Sequence, residues 1–426
     1  MMVVVFLAVL FSLMLIGMPI AFAMLSSAVV MMWTQGMFNV TTLAEQFITG
    51  ANSFALMAIP FFILTGEIMN AGGVSRRIVD FASSLVGHVK GGLGYVAIVA
   101  GVIFAGLSGS AVADTAALGS ILIPMMVAQG YEKKRSTGLV ASVGIVGTVI
   151  PPSIPLILYG VVGGVSITGL FMGGIVPGIL MAVGMTFTWW LVARKADTKR
   201  LERASWQARM RSFKRAFWAL LLPLIIIVGL RGGVFTPTEA GVVAAVYALL
   251  ISLCYGEVRL AQLFDVLINT AKTTAIVMLI ASAAIVTAYA ITVAQVPTQI
   301  AAGLTSITDS PTLMLLIIMV ILLLFGCVMD MTPAVLIFAP VLIPVVEQLG
   351  IDPIYFGVVM IINLSIGLIT PPVGTVLYVG CSISRISIID ISRGIWPMLL
   401  MYVAILFALI LFPEIVTFPL SILHNG

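Results

Sequence analysis

Apolar runs recur from one end of the chain to the other, among them Val3 to Val30, Leu170 to Val192 and Trp396 to Phe412, each close to the ~20 residues that a spanning helix needs. The pattern predicts helices that cross a bilayer repeatedly and leaves no stretch for a soluble domain. The first run lacks a basic n-region and is too long for a signal-peptide h-region, so it is expected to stay as a permanent span. Two other apolar segments carry a polar tip in the middle, LSGSAVAD within Leu93 to Gln129 and CVMDMTP within Thr312 to Gln348. A tip of that kind predicts a re-entrant helical hairpin, because irregular backbone at membrane depth must line a cavity or be buried in protein.

Composition agrees with the pattern and removes most soluble classes. Hydrophobic residues make up 61% of the 426 and charged residues only 8%. Of the 20 Lys and Arg, nine crowd into Arg194 to Arg215, which is a cytoplasmic-loop signal and not a nucleic-acid surface. With Arg76, Arg77, Lys90 and Lys133 to Arg135 also inside, the path has nine spans and two hairpins. Val3 to Met32 is then one outward crossing, with the N-terminus cytoplasmic and the C-terminus periplasmic. The cysteines and histidines show no ligand spacing. The scattered acids do not suit metal-assisted phosphate chemistry, so an integral-membrane enzyme is disfavoured.

A shift of 220 residues lays Gly106 on Gly326, Leu122–Pro124 on Leu342–Pro344, Gly147 on Gly367, Pro151/Pro152 on Pro371/Pro372 and Gly174 on Gly394. Five spans between the hairpins make the two copies run in opposite senses. Inverted repeats with interrupted helices are the architecture of secondary carriers, with the site at the midplane where the breaks meet. A continuous channel is disfavoured by the same argument.

The breaks and tips carry the candidate chemistry. Proline has no amide proton, so the pair at 151 and 152 releases the carbonyls of Gly147 and Thr148, and the pair at 371 and 372 those of Gly367 and Leu368. Such oxygens suit a dehydrated sodium ion, although proline kinks in membrane helices are also healed by neighbours. At the tips, Ser110 is expected to cap the arm that starts at Ala111, and Thr332 with Pro333 reads as N-cap and N1. Two helix N-termini facing one cavity can hold a carboxylate. Ionisable groups inside apolar segments are functional candidates. Asp330 and Asp114 are the best placed, near the two tips; Asp114 reads equally as an acid favoured in a first helical turn. Glu67, Glu239 and Lys272 read as structural, and Asn363 as a residue that could line the cavity.

The stretches IPFFILTGEIM at 59–69, FAGLSGSAVADTAALGSILIPMM at 104–126, GTVIPPSIPLILYG at 147–160, TPTEAGVVAAVYAL at 236–249, MDMTPAVLIFAPVLIPV and GLITPPVGTVLYV closely resemble the large membrane subunit of the tripartite ATP-independent periplasmic (TRAP) transporters. The resemblance implies an all-α integral membrane fold of the elevator type in the inner membrane. Scaffold helices would lie at 1–90 and 193–310, and the transport repeats at 91–192 and 311–426. It implies sodium coupling, with one ion held by Ser108, Gly147, Ile150 and Pro152 and another by Gly326, Gly367, Thr370 and Val373. The substrate would be held by Ser110, Ser153 and Asp330. The implied partners are a small four-helix membrane subunit, as a separate chain, and a periplasmic binding protein that delivers a small carboxylate such as a dicarboxylate, sialic acid or other sugar acid. A self-sufficient carboxylate symporter or antiporter of the same architecture is the alternative.

Overall fold

The computed structural model describes residues 2–194, 201–257 and 260–424. Residues 195–200 of the expected basic loop fall outside this set. Among the described residues the chain is all helical, with twenty α-helices, and eight helical segments are long and apolar enough to cross a membrane. The protein is a multi-pass membrane protein.

The first expected span is corrected. In its place stand α1 (Met2–Leu15) and α2 (Ile20–Thr34), separated by a turn in which Gly17 takes φ +86° and Pro19 precedes the new helix. The two helices run antiparallel, for Thr34 Oγ1 at the end of α2 lies 3.8 Å from Met2 Sδ at the start of α1. The physical reason is local. Gly17 supplies the left-handed conformation that ends a helix, and Pro19 withholds the amide that a continuous helix would need. With residue 2 and residue 34 at the same level, a cytoplasmic N-terminus no longer follows from a single crossing.

After α3 (Val40–Ala51), α4 (Ala58–Ala71) and α5 (Val74–Val86) comes the first hairpin, α6 (Gly92–Ser108) and α7 (Ala111–Ala128). Trp189 touches both ends of it: its indole N–H donates to the Gly91 carbonyl at 2.9 Å, and its ring stacks on Tyr131 with centroids 6.2 Å apart. The first broken helix follows as α8 (Lys133–Gly144), a 3₁₀ turn at Ile145–Thr148 and α9 (Ile154–Gly163). Next come α10 (Ile167–Ala193), α11 (Trp206–Arg231), α12 (Pro237–Tyr255), the long α13 (Leu260–Val293) and α14 (Val296–Thr305). The second hairpin is α15 (Pro311–Gly326) and α16 (Met331–Gln348), and the second broken helix is α17 (Pro353–Gly367) and α18 (Thr375–Ser384). The chain closes with α19 (Ile388–Leu411) and α20 (Glu414–His424).

The 220-residue register holds at the level of helix boundaries. α16 begins and ends 220 residues after α7, and α17 begins 220 residues after α8. The same shift carries α2 onto α12, α5 onto α14 and α10 onto α19, so the repeat reaches well beyond the hairpins. The correspondence departs at α13, which is continuous, whereas its counterpart is divided into α3 and α4 by Asn52 and the 3₁₀ turn Phe54–Met57.

Buried tyrosines tie the copies together. The Tyr402 hydroxyl of α19 donates to the Ser142 carbonyl of α8 at 2.8 Å, and the Tyr159 hydroxyl of α9 donates to the Pro353 carbonyl at 2.7 Å. Interhelical bonds of this kind in membrane proteins contribute about 0.6 kcal/mol on average and about 1.7 at most. Tyr402→Phe is therefore expected to lower the unfolding temperature of the purified protein by a few degrees at most, with assembly intact, as read by a thermal-shift assay.

Candidate functional site

Each hairpin presents the N-terminus of its second arm at the tip. In the first, Gly109 takes φ +63° and Ser110 is the N-cap of α7, its hydroxyl accepting from the Ala113 amide at 3.4 Å. The expected capping by Ser110 is present. In the second, the expected start at Thr332 and Pro333 is corrected: α16 begins at Met331 with Asp330 at the N-cap. Pro333 still falls in the first turn, where its missing amide has no intrahelical partner to lose. The Asp330 carboxylate does not cap the helix; it accepts instead from the Thr375 hydroxyl of α18 at 3.1 Å.

The released carbonyls are partly re-engaged. The Ser153 hydroxyl donates to the Thr148 carbonyl while accepting from the Leu156 amide at 3.3 Å as the N-cap of α9. In the second break the Gly367 carbonyl accepts from the Thr370 amide at 3.0 Å and the Leu368 carbonyl from the Val376 amide at 3.2 Å. The expectation that both proline pairs leave bare carbonyls thus needs correction for Thr148, Gly367 and Leu368: Thr148 and Leu368 are met by donors from the chain after each pair, Ser153 and Val376, and Gly367 by the Thr370 amide in the tight turn just before the second pair. The breaks also meet, with Thr148 Oγ1 2.5 Å from Ser365 Oγ.

Around the first break the structure gathers Ser108, Gly147 and Pro152. The Ser108 hydroxyl donates to Asp114 Oδ1, and a Cβ placed on Gly109 would lie 2.6 Å from the Pro152 carbonyl oxygen. The half-buried Ile150 turns its side chain toward Gly178 of α10. Asp114 is 1% exposed, and its second oxygen, Oδ2, has no hydrogen-bond partner. That oxygen packs against Gly147, where a Cβ would collide with it. Thr115 Oγ1, next to Gly144, is likewise buried and unpartnered.

The second set is assembled differently. Gly326 and Gly367 touch backbone to backbone, with a Cβ on Gly326 falling 3.4 Å from the Gly367 Cα. The Cys327 carbonyl accepts from the amides of Val373 and Gly374, both at 3.2 Å. The Thr370 hydroxyl donates to the Ile366 carbonyl at 2.6 Å. By the 220-residue register Asp114 corresponds to Ala334 and Ser108 to Val328, so the carboxylate wedged into the first copy has no equivalent in the second.

Both tips and both breaks open on one cavity of about 580 Å³, reached by Ser108, Ser110, Thr148, Asp330, Thr332 and Leu368. Its opposite wall comes from α4 and α13 and includes Glu67, Asn70 and Thr273. Ser153 is fully buried and does not line it.

The sequence matches the family model described as the tripartite ATP-independent periplasmic transporter, DctM component, over residues 7–415. The chain belongs to the TRAP transporter large permease family. It is 49% identical to the 2,3-diketo-L-gulonate TRAP transporter large permease protein YiaN of Escherichia coli K12, over 98% of this chain and 99% of that one. It is 38% identical to the sialic acid TRAP transporter large permease protein SiaM of Vibrio cholerae, over 93% of each. Among solved structures, the Alcanivorax borkumensis YdaH transporter superposes with a TM-score of 0.66 over 89% of both chains at 19% identity, a likeness of fold. The relatives are transporter permeases, not enzymes.

Within this TRAP permease two polar residues, Glu67 and Asn363, stand elsewhere than the sequence suggested. Glu67 lines the cavity instead of serving a span end. The signal was present in the small-residue step Thr65-Gly66 beside it: Gly66 lets α4 approach the first tip, where a Cβ would sit 3.4 Å from Ser108 Cβ. Glu239 is structural, closing a capping box with Thr236 through bonds of 2.8 and 3.3 Å. Lys272 lies exposed on α13. Asn363 does not line the cavity; its amide donates to the Met319 carbonyl at 2.6 Å and fastens α17 to α15.

Proposed function

We propose that this TRAP large permease imports a small carboxylate-bearing solute across the inner membrane, driven by a sodium gradient, with a small membrane subunit and a periplasmic binding protein as its partners. The observation that carries the reading is the convergence of two helix N-termini and two proline-broken turns on one cavity. Helix N-termini favour an anion, and the breaks supply oxygens for cations. The names of the E. coli and V. cholerae relatives, which specify carboxylate solutes, support the substrate class.

In this reading the hairpins re-enter the membrane within an inverted repeat. The parts at 91–192 and 311–426 move as an elevator against a scaffold at 1–90 and 193–310. One sodium ion sits among Ser108, Gly147, Ile150 and Pro152, joined by Asp114 as a charged ligand; the other sits among Gly326, Gly367, Thr370 and Val373. The substrate lies between Ser110 and Asp330. A buried carboxylate oxygen with no partner is costly unless a cation neutralises it, which favours the first site as the stronger of the two.

Reconstitution tests the whole assignment. In liposomes, uptake is expected only when the small subunit and the liganded binding protein are present with an inward sodium gradient. Robust uptake by the isolated chain would favour a self-sufficient symporter, and uptake driven equally by a proton gradient without sodium would overturn the cation assignment.

A further inference from the structure

The N-terminal part of α11 carries positive charge that the fold itself does not use. Between Leu201 and Trp218 the chain has five basic residues and one acid, Glu202, which precedes the helix. Arg211, Lys214 and Arg215 are exposed, and among the described residues their side chains make no hydrogen bond or ion pair. The acid at the adjoining end of α12, Glu257, is already engaged by Arg77 at 2.6 Å, whose guanidinium lies 3.9 Å over the Tyr255 ring.

The three cations are also aligned. At 3.6 residues per turn, Arg211, Lys214, Arg215 and Trp218 share an arc of about 100° on α11. The same side continues through the half-buried Leu221 and Ile225 to Val228, which is exposed. At 1.5 Å per residue Trp218 to Val228 rises about 15 Å, half of the ~30 Å hydrocarbon core and so the depth of one leaflet. α12 runs beside this line. The Tyr255 hydroxyl donates to the Arg215 carbonyl at 2.8 Å and the Tyr247 hydroxyl to the Trp218 carbonyl at 2.9 Å, while Leu250 and Cys254, on the same side of α12 as Tyr247, stay exposed.

A topological charge excess requires only a number of Lys and Arg near the end of a span. Here cations, a tryptophan and a leaflet's depth of aliphatic side chains follow one another along a single groove. That is the order of phosphate, ester and acyl chain in a phospholipid, with the indole at the level that tryptophan prefers. Basic pockets between membrane helices on the cytoplasmic side recognise anionic headgroups.

We propose that the groove between α11 and α12 binds one diacyl phospholipid with an anionic headgroup, its phosphate on Arg211, Lys214 and Arg215 and its chains along Leu221, Ile225 and Val228.

The test uses the purified complex of large and small subunits in detergent, with lipid binding read by native mass spectrometry. The probes are phosphatidylglycerol, phosphatidylethanolamine with the same acyl chains, and inorganic phosphate as a competitor. Phosphatidylglycerol is expected to bind at least about tenfold more tightly than phosphatidylethanolamine, since each nearby Lys or Arg favours an anionic lipid. Phosphate should not displace it, because a free anion lacks the chains. Replacing the three cations together, Arg211→Gln, Lys214→Gln and Arg215→Gln, should weaken phosphatidylglycerol binding about a hundredfold. The fold should be kept, because the Tyr255 bond uses the Arg215 backbone. Removing three charges at the start of α8 instead, Lys133→Gln, Lys134→Gln and Arg135→Gln, should change the affinity by no more than about threefold, since attraction to a charged headgroup falls off within a Debye length. Equal binding of the two lipids, displacement by phosphate, or equal losses in the two triple variants overturns the proposal. So does undiminished binding in the α11 variant, the result that a small subunit seated over this face would give.

Discussion

Asp114→Asn is expected to raise the sodium concentration that half-saturates uptake by about ten- to a hundred-fold. The side chain is buried, one oxygen is engaged by the Ser108 hydroxyl, and the other faces Gly147 at the proline break with no partner. Interactions with a charged group contribute about 1.5–3 kcal/mol, and each 1.4 kcal/mol is tenfold in an equilibrium. Asparagine preserves the shape and can still accept from Ser108, so the complex should assemble with normal yield. Sodium titrations of uptake in liposomes, run beside Thr370→Val at the neutral second site, provide the check. Thr370→Val should shift the midpoint by a few-fold at most, because one hydroxyl is lost and no charge. An unchanged midpoint in Asp114→Asn would return Asp114 to a structural role in the first turn of α7.

The second large effect concerns the close approach in the other copy. Gly367→Ala should abolish uptake and sharply reduce the yield of folded complex. A Cβ there would fall against the carbonyl carbon and oxygen of Gly326, and a backbone group cannot rotate away as a side chain would. Overpacking of this kind typically costs about 1–3 kcal/mol and occasionally more. Gly303→Ala is the matched control: it lies inside α14 with nothing within 4 Å of the new Cβ, and replacing a mid-helix glycine should stabilise by about 0.5–1 kcal/mol. Size-exclusion profiles and thermal unfolding of the two variants separate the outcomes.

What could be read from the sequence follows from which residues constrain backbone. Proline pairs and polar tips inside apolar runs marked the breaks and hairpins because each leaves a chemical contradiction in a spanning helix, and the repeat survived as glycines and prolines in register. The turn between α1 and α2 went unread although Gly17 and Pro19 stand in it, because hydropathy does not fall there. The start of α16 was misplaced for a related reason: Thr332-Pro333 carries a familiar N-terminal pattern, but the helix had already begun at Met331. Glu67 was legible as an intramembrane acid and not as a cavity residue, since its neighbours across the cavity come from hairpin tips far along the chain. The re-engagement of the released carbonyls depends on how the chain turns on either side of each proline pair, which spacing alone does not specify.

The contact of Trp189 with both ends of the first hairpin makes the protein its own optical reporter. Of the six tryptophans, Trp33, Trp190, Trp206, Trp218 and Trp396 are exposed on the surface, whereas Trp189 is 2% exposed. Lipid or detergent will set the emission of the five, and it should change little as solute or sodium binds. Emission from Trp189 answers to the Gly91 carbonyl and the Tyr131 ring. The component of the fluorescence that resists both aqueous and lipid-borne quenchers therefore belongs to the base of one hairpin, and its response reports whether that hairpin stays seated on α10 during the transport cycle.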